Sequence, residues 1–388
     1  MEPSTSPCSP KKCKNEVTLI YIINHIMKIN FLLLGIFLTL VTSCTKGAQE
    51  ALMPPCTGAP YDMYIVLPEE YKPVYGEDAL GNKRKINQTP LYDSLYAVFQ
   101  YPMECMPHSD SYFYVSTINP EHFLRGIRSL GNVVIVNIDP DNSTDPVVTM
   151  ERDKYARGQV VVKMYARDQQ SLADYIMTLQ SGLRNLFVKA EINRSVEKLE
   201  KDNARNEEDR LMKLQNVSMH IPYAIKKKGV GAADSTFFWV TDDYADRSSH
   251  LVVYSVPYTD ANIFTLEGAV AIRDSVMKAN IQGNTPDQFV TTNKRVVLPE
   301  YKALNIGGKY VGELRGMWRM ENGLMAGPFV CHLRLDEINK RVVFAEGFIY
   351  APHEDVQRRF IRNLEASIYT LRLPSDNMMP EIEITLDE

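Results

Sequence analysis

Tryptophan and cysteine are scarce, at two and six in 388 residues, and no two cysteines stand at Cys-x-x-Cys spacing. That removes zinc ribbons and the thioredoxin-like redox motif. An excess of positive charge is also missing, since 43 basic residues face 48 acidic ones for a net charge of −5. A mildly acidic chain does not fit nucleic acid as a partner, because phosphates need clustered Lys and Arg. Electrostatic docking on anionic lipid is disfavoured for the same reason. No histidine pair among His108, His122, His220, His250, His332 and His353 stands at i,i+4 or i,i+2, so no metal is read. The Gly-x-Ser-x-Gly elbow is absent. Gly307-Gly308-Lys309-Tyr310 lacks the Ser/Thr and the upstream glycine of a phosphate loop, and Gly229-Val230-Gly231 lacks the third glycine of a dinucleotide fingerprint. No cofactor is read. The apolar run at residues 31–40 falls short of the roughly 20 residues that span a bilayer.

That short run has another use. Met27 and Lys28 precede it, and Leu40-Val41-Thr42-Ser43-Cys44 closes it. A charged start, a short apolar core and small residues at the cut are the anatomy of a secretory signal. The closing residues resemble a bacterial lipobox, and the resemblance implies cleavage before Cys44 and attachment of acyl chains, such as palmitate, to that residue. Residues 1–26 read as an extension upstream of a Met27 start; a translated cytoplasmic leader with the apolar patch 17–26 is the alternative. Cleavage removes Lys11, Lys12, Lys14, Lys28, Glu2 and Glu16, moving the charge from −5 to −7. Attachment to the membrane would then come from acyl chains, of which stable anchoring needs more than one. Surface export of such lipoproteins is associated with acidic residues just after the cysteine, and Thr45-Lys46-Gly47-Ala48 has none, so the resemblance implies a periplasm-facing protein.

Beyond the signal and upstream extension (1–43), residues 44–60 hold Pro54, Pro55, Gly58 and Pro60 without periodicity and read as a lipidated tether. The remainder reads as α+β, with two tandem, duplicated domains of antiparallel sheet joined by a long charged helix. The boundaries are 61–188 for the first domain, 189–215 for the linking helix, 216–373 for the second domain and 374–388 for a C-terminal tail. Residues 165–186 and 350–371 align without a gap. Tyr175, Ile176, Leu179, Leu183 and Leu186 match Phe360, Ile361, Leu364, Ile368 and Leu371, one stripe of a helix. In both halves a strand precedes the helix. Residues 189–213 hold fourteen charged residues and read as a solvated linking helix with pairs such as Glu197 with Lys201; a partner-binding helix is the alternative. Residues 310–320, 329–335 and 341–350 form a meander with turns at Glu321-Asn322-Gly323 and at 336–340.

The densest unusual stretch is Gly312-Glu313-Leu314-Arg315-Gly316-Met317-Trp318-Arg319-Met320, continued by Met325-Ala326-Gly327-Pro328-Phe329. It resembles the signature of an uncharacterised Bacteroidetes lipoprotein family, a domain of unknown function with an Arg-Gly-aromatic-Trp block followed by Met-Gly-Gly-Pro-Phe. Ala326 departs from that pattern. The resemblance implies a cell-envelope lipoprotein and brings no activity and no catalytic residue. Two readings stand for the stretch. One is a hairpin that packs a helix against a sheet. The other is a ligand or partner surface with Arg315, Trp318, Met320 and Met325, since Trp and Arg are common hot spots.

Of the four cysteines after the cut, Cys56 and Cys105 are candidates for a disulfide in an oxidising envelope compartment. Cys331 falls on the apolar face of an alternating strand and reads as a buried free thiol. His353-Glu354-Asp355 and Asp168 suit first helical turns. Glu346 shares a strand face with Phe344, Phe348 and Tyr350, where partial desolvation would raise its pKa. The functional reading favoured is non-catalytic binding, scaffolding or assembly at the membrane surface, with an envelope protein partner. The alternative is an envelope hydrolase using Glu346 or His353 in an inter-domain cleft. A third reading is a subunit of a larger complex with Trp318 at the interface.

Overall fold

The computed structural model describes residues 53–78, 80–141, 145–229, 236–242, 244 and 246–376. The first half holds β1 (Asp62–Val66), the hairpin β2 (Tyr75–Glu77) and β3 (Lys83–Lys85), helix α1 (Pro90–Phe99), β4 (Tyr114–Ile118), β5 (Asn132–Ile138), β6 (Val147–Arg152) and β7 (Val160–Ala166). Five of these strands form a sheet in the order β4-β1-β5-β7-β6. β1 runs parallel to β4 and β5, and β5 parallel to β7; β6 alone is antiparallel. The α+β class holds, but this sheet is mixed where an antiparallel one was expected. The reason lies in residues 133–136 and 160–162, which are unbroken apolar runs and not alternating ones, as suits parallel strands covered on both faces. Val134, Val136, Val160 and Val162 face the helices, while Val133 and Val161 meet Val66 and Phe123 on the other side.

Three helices follow: α2 (Gln169–Thr178), α3 (Gln180–Lys201) and α4 (Arg205–Gln215). Asp168 stands one place before the first turn of α2 and caps it, accepting from the Ser171 amide at 2.8 Å. The charged helix is less solvated than its composition suggests. Glu191 is 4% exposed, and Ile192 and Leu199 are buried. Glu191 accepts from the Tyr61 amide at 2.8 Å and from Asn132 Nδ2 at 2.6 Å. Arg194 donates to the Gly158 carbonyl and to Asn132 Oδ1, each at 2.6 Å. Charge on this helix therefore turns inward wherever the first sheet offers partners. The tether is shorter than its composition suggests as well. The Cys56 amide donates to the Arg157 carbonyl at 2.9 Å and the Thr57 amide to the Ser129 carbonyl at 2.8 Å, so the chain is docked from Pro55 on.

The second half holds β8 (Lys227–Lys228), β9 (Phe237–Thr241), β10 (Ser248–Pro257), helix α5 (Leu266–Asn280), β11 (Val290–Thr292), β12 (Glu300–Ile306), β13 (Lys309–Met320), β14 (Ala326–Asp336), β15 (Arg341–Tyr350) and helix α6 (Arg358–Tyr369). Its strands form one antiparallel sheet, β11-β13-β14-β15-β10-β9-β8, with β12 also on β13. The meander runs where the turn residues place it; Asn322 and Lys340 take φ of 52° and 51°. Ile361, Leu364, Ile368 and Leu371 of the α6 stripe are all buried against one face of the sheet, where α4 also packs. Helix α5 covers the other face. A β-hairpin followed by a helix thus recurs, as β6-β7-α2 and β14-β15-α6.

The halves are cross-linked by polar contacts. Helix α6 begins at Arg358, so His353, Glu354 and Asp355 precede it and do not occupy its first turn. Its cap comes from the other half: Asp110, 8% exposed, accepts from the Gln357 amide at 2.7 Å and the Arg358 amide at 2.9 Å. Asp110→Ala is expected to cost about 1 kcal/mol, within the usual 0.5–2 for a lost cap. Glu354→Ala should stay within about 0.5 kcal/mol. Urea unfolding of the two variants checks both.

Candidate functional site

Strand β1 connects through α1 to β4 on one side, while β5 connects through β6 to β7 on the other. Neighbouring strands whose connections diverge leave a crevice at their carboxyl ends, and open sheets with parallel strands bind ligands there. A crevice of about 430 Å³ opens at that place. This lies within the usual range of small-molecule sites, roughly 300–1,000 Å³. Val66 and Ile135 are cross-strand neighbours in its floor, and Lys163 is the next residue in the same row. Tyr165 and Asn137, also paired in register, form the rim. Glu70 and Tyr71 form another wall, from the 3₁₀ turn that follows β1. Lys163 Nζ donates to Glu151 Oε1 at 2.6 Å, and this bond holds the ammonium well above the ordinary lysine range. Burial, followed by a hydrogen bond to Glu70, raises the Tyr71 phenol. The arrangement offers an apolar floor, two phenols, an amide and one fixed cation.

The docked tether lies at the opposite end of the sheet. Thr57 bridges Leu130 and Pro55 bridges Arg157, just before β5 and β7 begin. Seven residues of strand, about 23 Å at 3.3 Å each, separate the two ends.

The residues singled out in the sequence do not assemble into one open surface. Cys44 lies outside the described residues. Trp318 is 2% exposed and donates its Nε1–H to the Ile349 carbonyl at 2.9 Å. Met320 is buried, and Met325 alone of the four is exposed. Arg315 is engaged on both sides, with Glu313 Oε1 and Oε2 at 2.8 and 2.9 Å and with Glu365. The signature is one interlocked cross-strand cluster, with Trp318 opposite Gly327, Met317 opposite Pro328 and Gly316 opposite Phe329. Its glycines make room. A Cβ on Gly316 would sit 2.7 Å from the Phe329 ring, and one on Gly327 would sit 2.0 Å from the Ile349 carbonyl that Trp318 needs. The packing reading of this hairpin is therefore the one its geometry matches.

Cys56 and Cys105 are both free, which corrects the disulfide expectation. Cys56 sits at the docked tether, half-buried, and Cys105 Sγ approaches the Leu298 carbonyl at 3.6 Å. Burial pushes the Cys105 thiol up to about 11. Cys331 is the buried free thiol that its strand position predicts.

Glu346 is fully buried rather than partly, because α5 covers the face that its strand turns away from α6. Arg273 meets it with two hydrogen bonds, Nε at 2.8 Å and Nη2 at 2.6 Å, and lies 3.8 Å over the Phe329 ring. Burial raises the Glu346 carboxyl and Arg273 draws it back only in part. His353 is exposed on the loop after β15. These two residues do not converge.

Two family models match the chain. Residues 83–200 match Domain of unknown function (DUF8532), and residues 204–370 match Domain of unknown function (DUF4837). The two matches meet at the break between α3 and α4. The crevice strands β5 and β7 lie in the first match, and the signature hairpin in the second. No curated protein matches the chain.

Reading the sequence alone missed the crevice. Unbroken Val/Ile runs in β5 and β7, with a helix between β1 and β4, are the signals for parallel pairing, and parallel pairing leads to the switch-point rule.

Proposed function

We propose that this protein is a lipoprotein of a bacterial cell envelope, of the Bacteroidetes type its signature resembles. Acyl chains on Cys44 tether it to the membrane, and it faces the periplasm. Its body is a non-catalytic binding module, and the crevice at the carboxyl ends of β1, β5 and β7 is its binding place. The observation that carries this reading is the position of that crevice: it opens at the switch point, at the end of the sheet remote from the docked tether. Ten residues separate Cys44 from Pro55. Fully extended, those eleven steps reach about 36–40 Å. A tether of that reach leaves the crevice accessible to a soluble ligand or an envelope protein partner. The sealed Glu346–Arg273 pair favours binding over hydrolysis, since neither Glu346 oxygen is free to meet a substrate.

Cells grown with alkynyl palmitate test the anchor. The wild-type chain should carry the label and Cys44→Ser should carry none. Equal labelling of both would reject the proposed anchor.

A further inference from the structure

Glu151 is shared by two lysines. Its Oε1 accepts from Lys163 at 2.6 Å and its Oε2 pairs with Lys154. Both bonds hold the Glu151 carboxyl below the usual carboxylate range. The three groups together carry one uncompensated positive charge. Each ammonium has three donors, and Lys163 uses one of them on Glu151. Lys163 also follows three apolar residues in one cross-strand row, which runs Ile118, Val66, Ile135, Lys163 and then Thr149 of β6. The cation therefore stands at one end of an apolar floor, with Tyr165 above it on the rim and Tyr71 on another wall. Among the described residues that line the crevice the one acid is Glu70, and a second negative charge on a ligand would be repelled there.

Resting on the binding role proposed above, we infer that the crevice takes a small monocarboxylate with an apolar body. The carboxylate meets Lys163 Nζ, completing the charge balance of the Lys163–Glu151–Lys154 group, and the apolar body lies on Val66 and Ile135. A charge-assisted hydrogen bond of this kind is roughly twice as strong as a neutral one, so replacing the carboxylate by a hydroxyl should be felt.

Titration calorimetry on the intact protein in lipid nanodiscs, with empty nanodiscs as blank, tests this. The probes are 4-phenylbutyrate, its alcohol 4-phenylbutanol, and phenylsuccinate as a dicarboxylate. The acid should bind at least tenfold more tightly than the alcohol and than phenylsuccinate. Lys163→Met, which keeps the stem and removes the charge, should erase the preference for the acid, and Lys163→Arg should retain it. Glu70→Gln should admit phenylsuccinate. Circular dichroism confirms that each variant is folded. Equal binding of acid and alcohol, or an acid preference that survives Lys163→Met, would overturn the carboxylate inference. Such binding, if weakened by Ile135→Asp, would still leave the crevice as a ligand site. Failure of all three probes to bind would overturn the inference and the crevice reading together, without touching the anchor.

Discussion

Replacing Arg273 by methionine should destabilise the protein by about 3–5 kcal/mol, the cost of stranding one member of a buried ion pair. Arg273 and Glu346 are each fully buried, and two hydrogen bonds join them. Removing the guanidinium leaves Glu346 with no counter-charge inside an apolar cluster of Phe329, Phe344 and Phe348, and it also frees Thr292, which now accepts from Arg273 Nη1 at 3.0 Å. The double variant Arg273→Met/Glu346→Leu should recover most of the loss, because apolar groups of similar volume often replace a buried pair without penalty. Urea unfolding of the single and double variants measures both effects. A double variant as unstable as the single one would mean that the pair does more than neutralise itself.

The second large effect is expected at Glu365. This carboxylate is 1% exposed and serves two arginines, Arg315 through Oε1 and Arg362 through Oε2 at 2.7 Å. Arg362 in turn lies over the rings of Tyr61 and Tyr112 from the first half, at 5.5 and 5.2 Å. Glu104 accepts from the Tyr112 hydroxyl at 2.5 Å. The network therefore fills the seam between the two sheets. Glu365→Leu should cost about 3–5 kcal/mol, since both arginines lose their shared anion. Glu365→Gln keeps the shape and some of the hydrogen bonding and should cost less, about 1.5–3 kcal/mol. A Leu variant that unfolds at the same urea concentration as the wild type would show that Glu313 alone satisfies Arg315.

These two clusters also mark where the sequence could be read and where it could not. The β13–β15 meander, the α6 stripe, the Asp168 cap and the Cys331 thiol all depend on residues close in the chain, and periodicity with turn chemistry suffices for them. Arg315 and Trp318 read as surface anchors because a period of two says which residues share a face, not whether a helix covers it. Both faces of the second sheet are covered, so both residues are engaged inside. The α6 cap lies 247 positions away in the chain, at Asp110, and no local pattern announces a partner at that distance. The crevice has the same origin. It exists only once β1 pairs with β5, joining Val66 to Ile135 across 69 positions, and its one cation looks like an ordinary strand lysine until Glu151 stands beside it.

The anchor is the claim that puts this binding module at a membrane, and the intact mass of the protein extracted from membranes tests it most directly. A chain beginning at Cys44 and carrying the added mass of acyl groups on that residue is the predicted result. A chain that retains the residues before Cys44, or one that begins at Cys44 with an unmodified thiol, would contradict it.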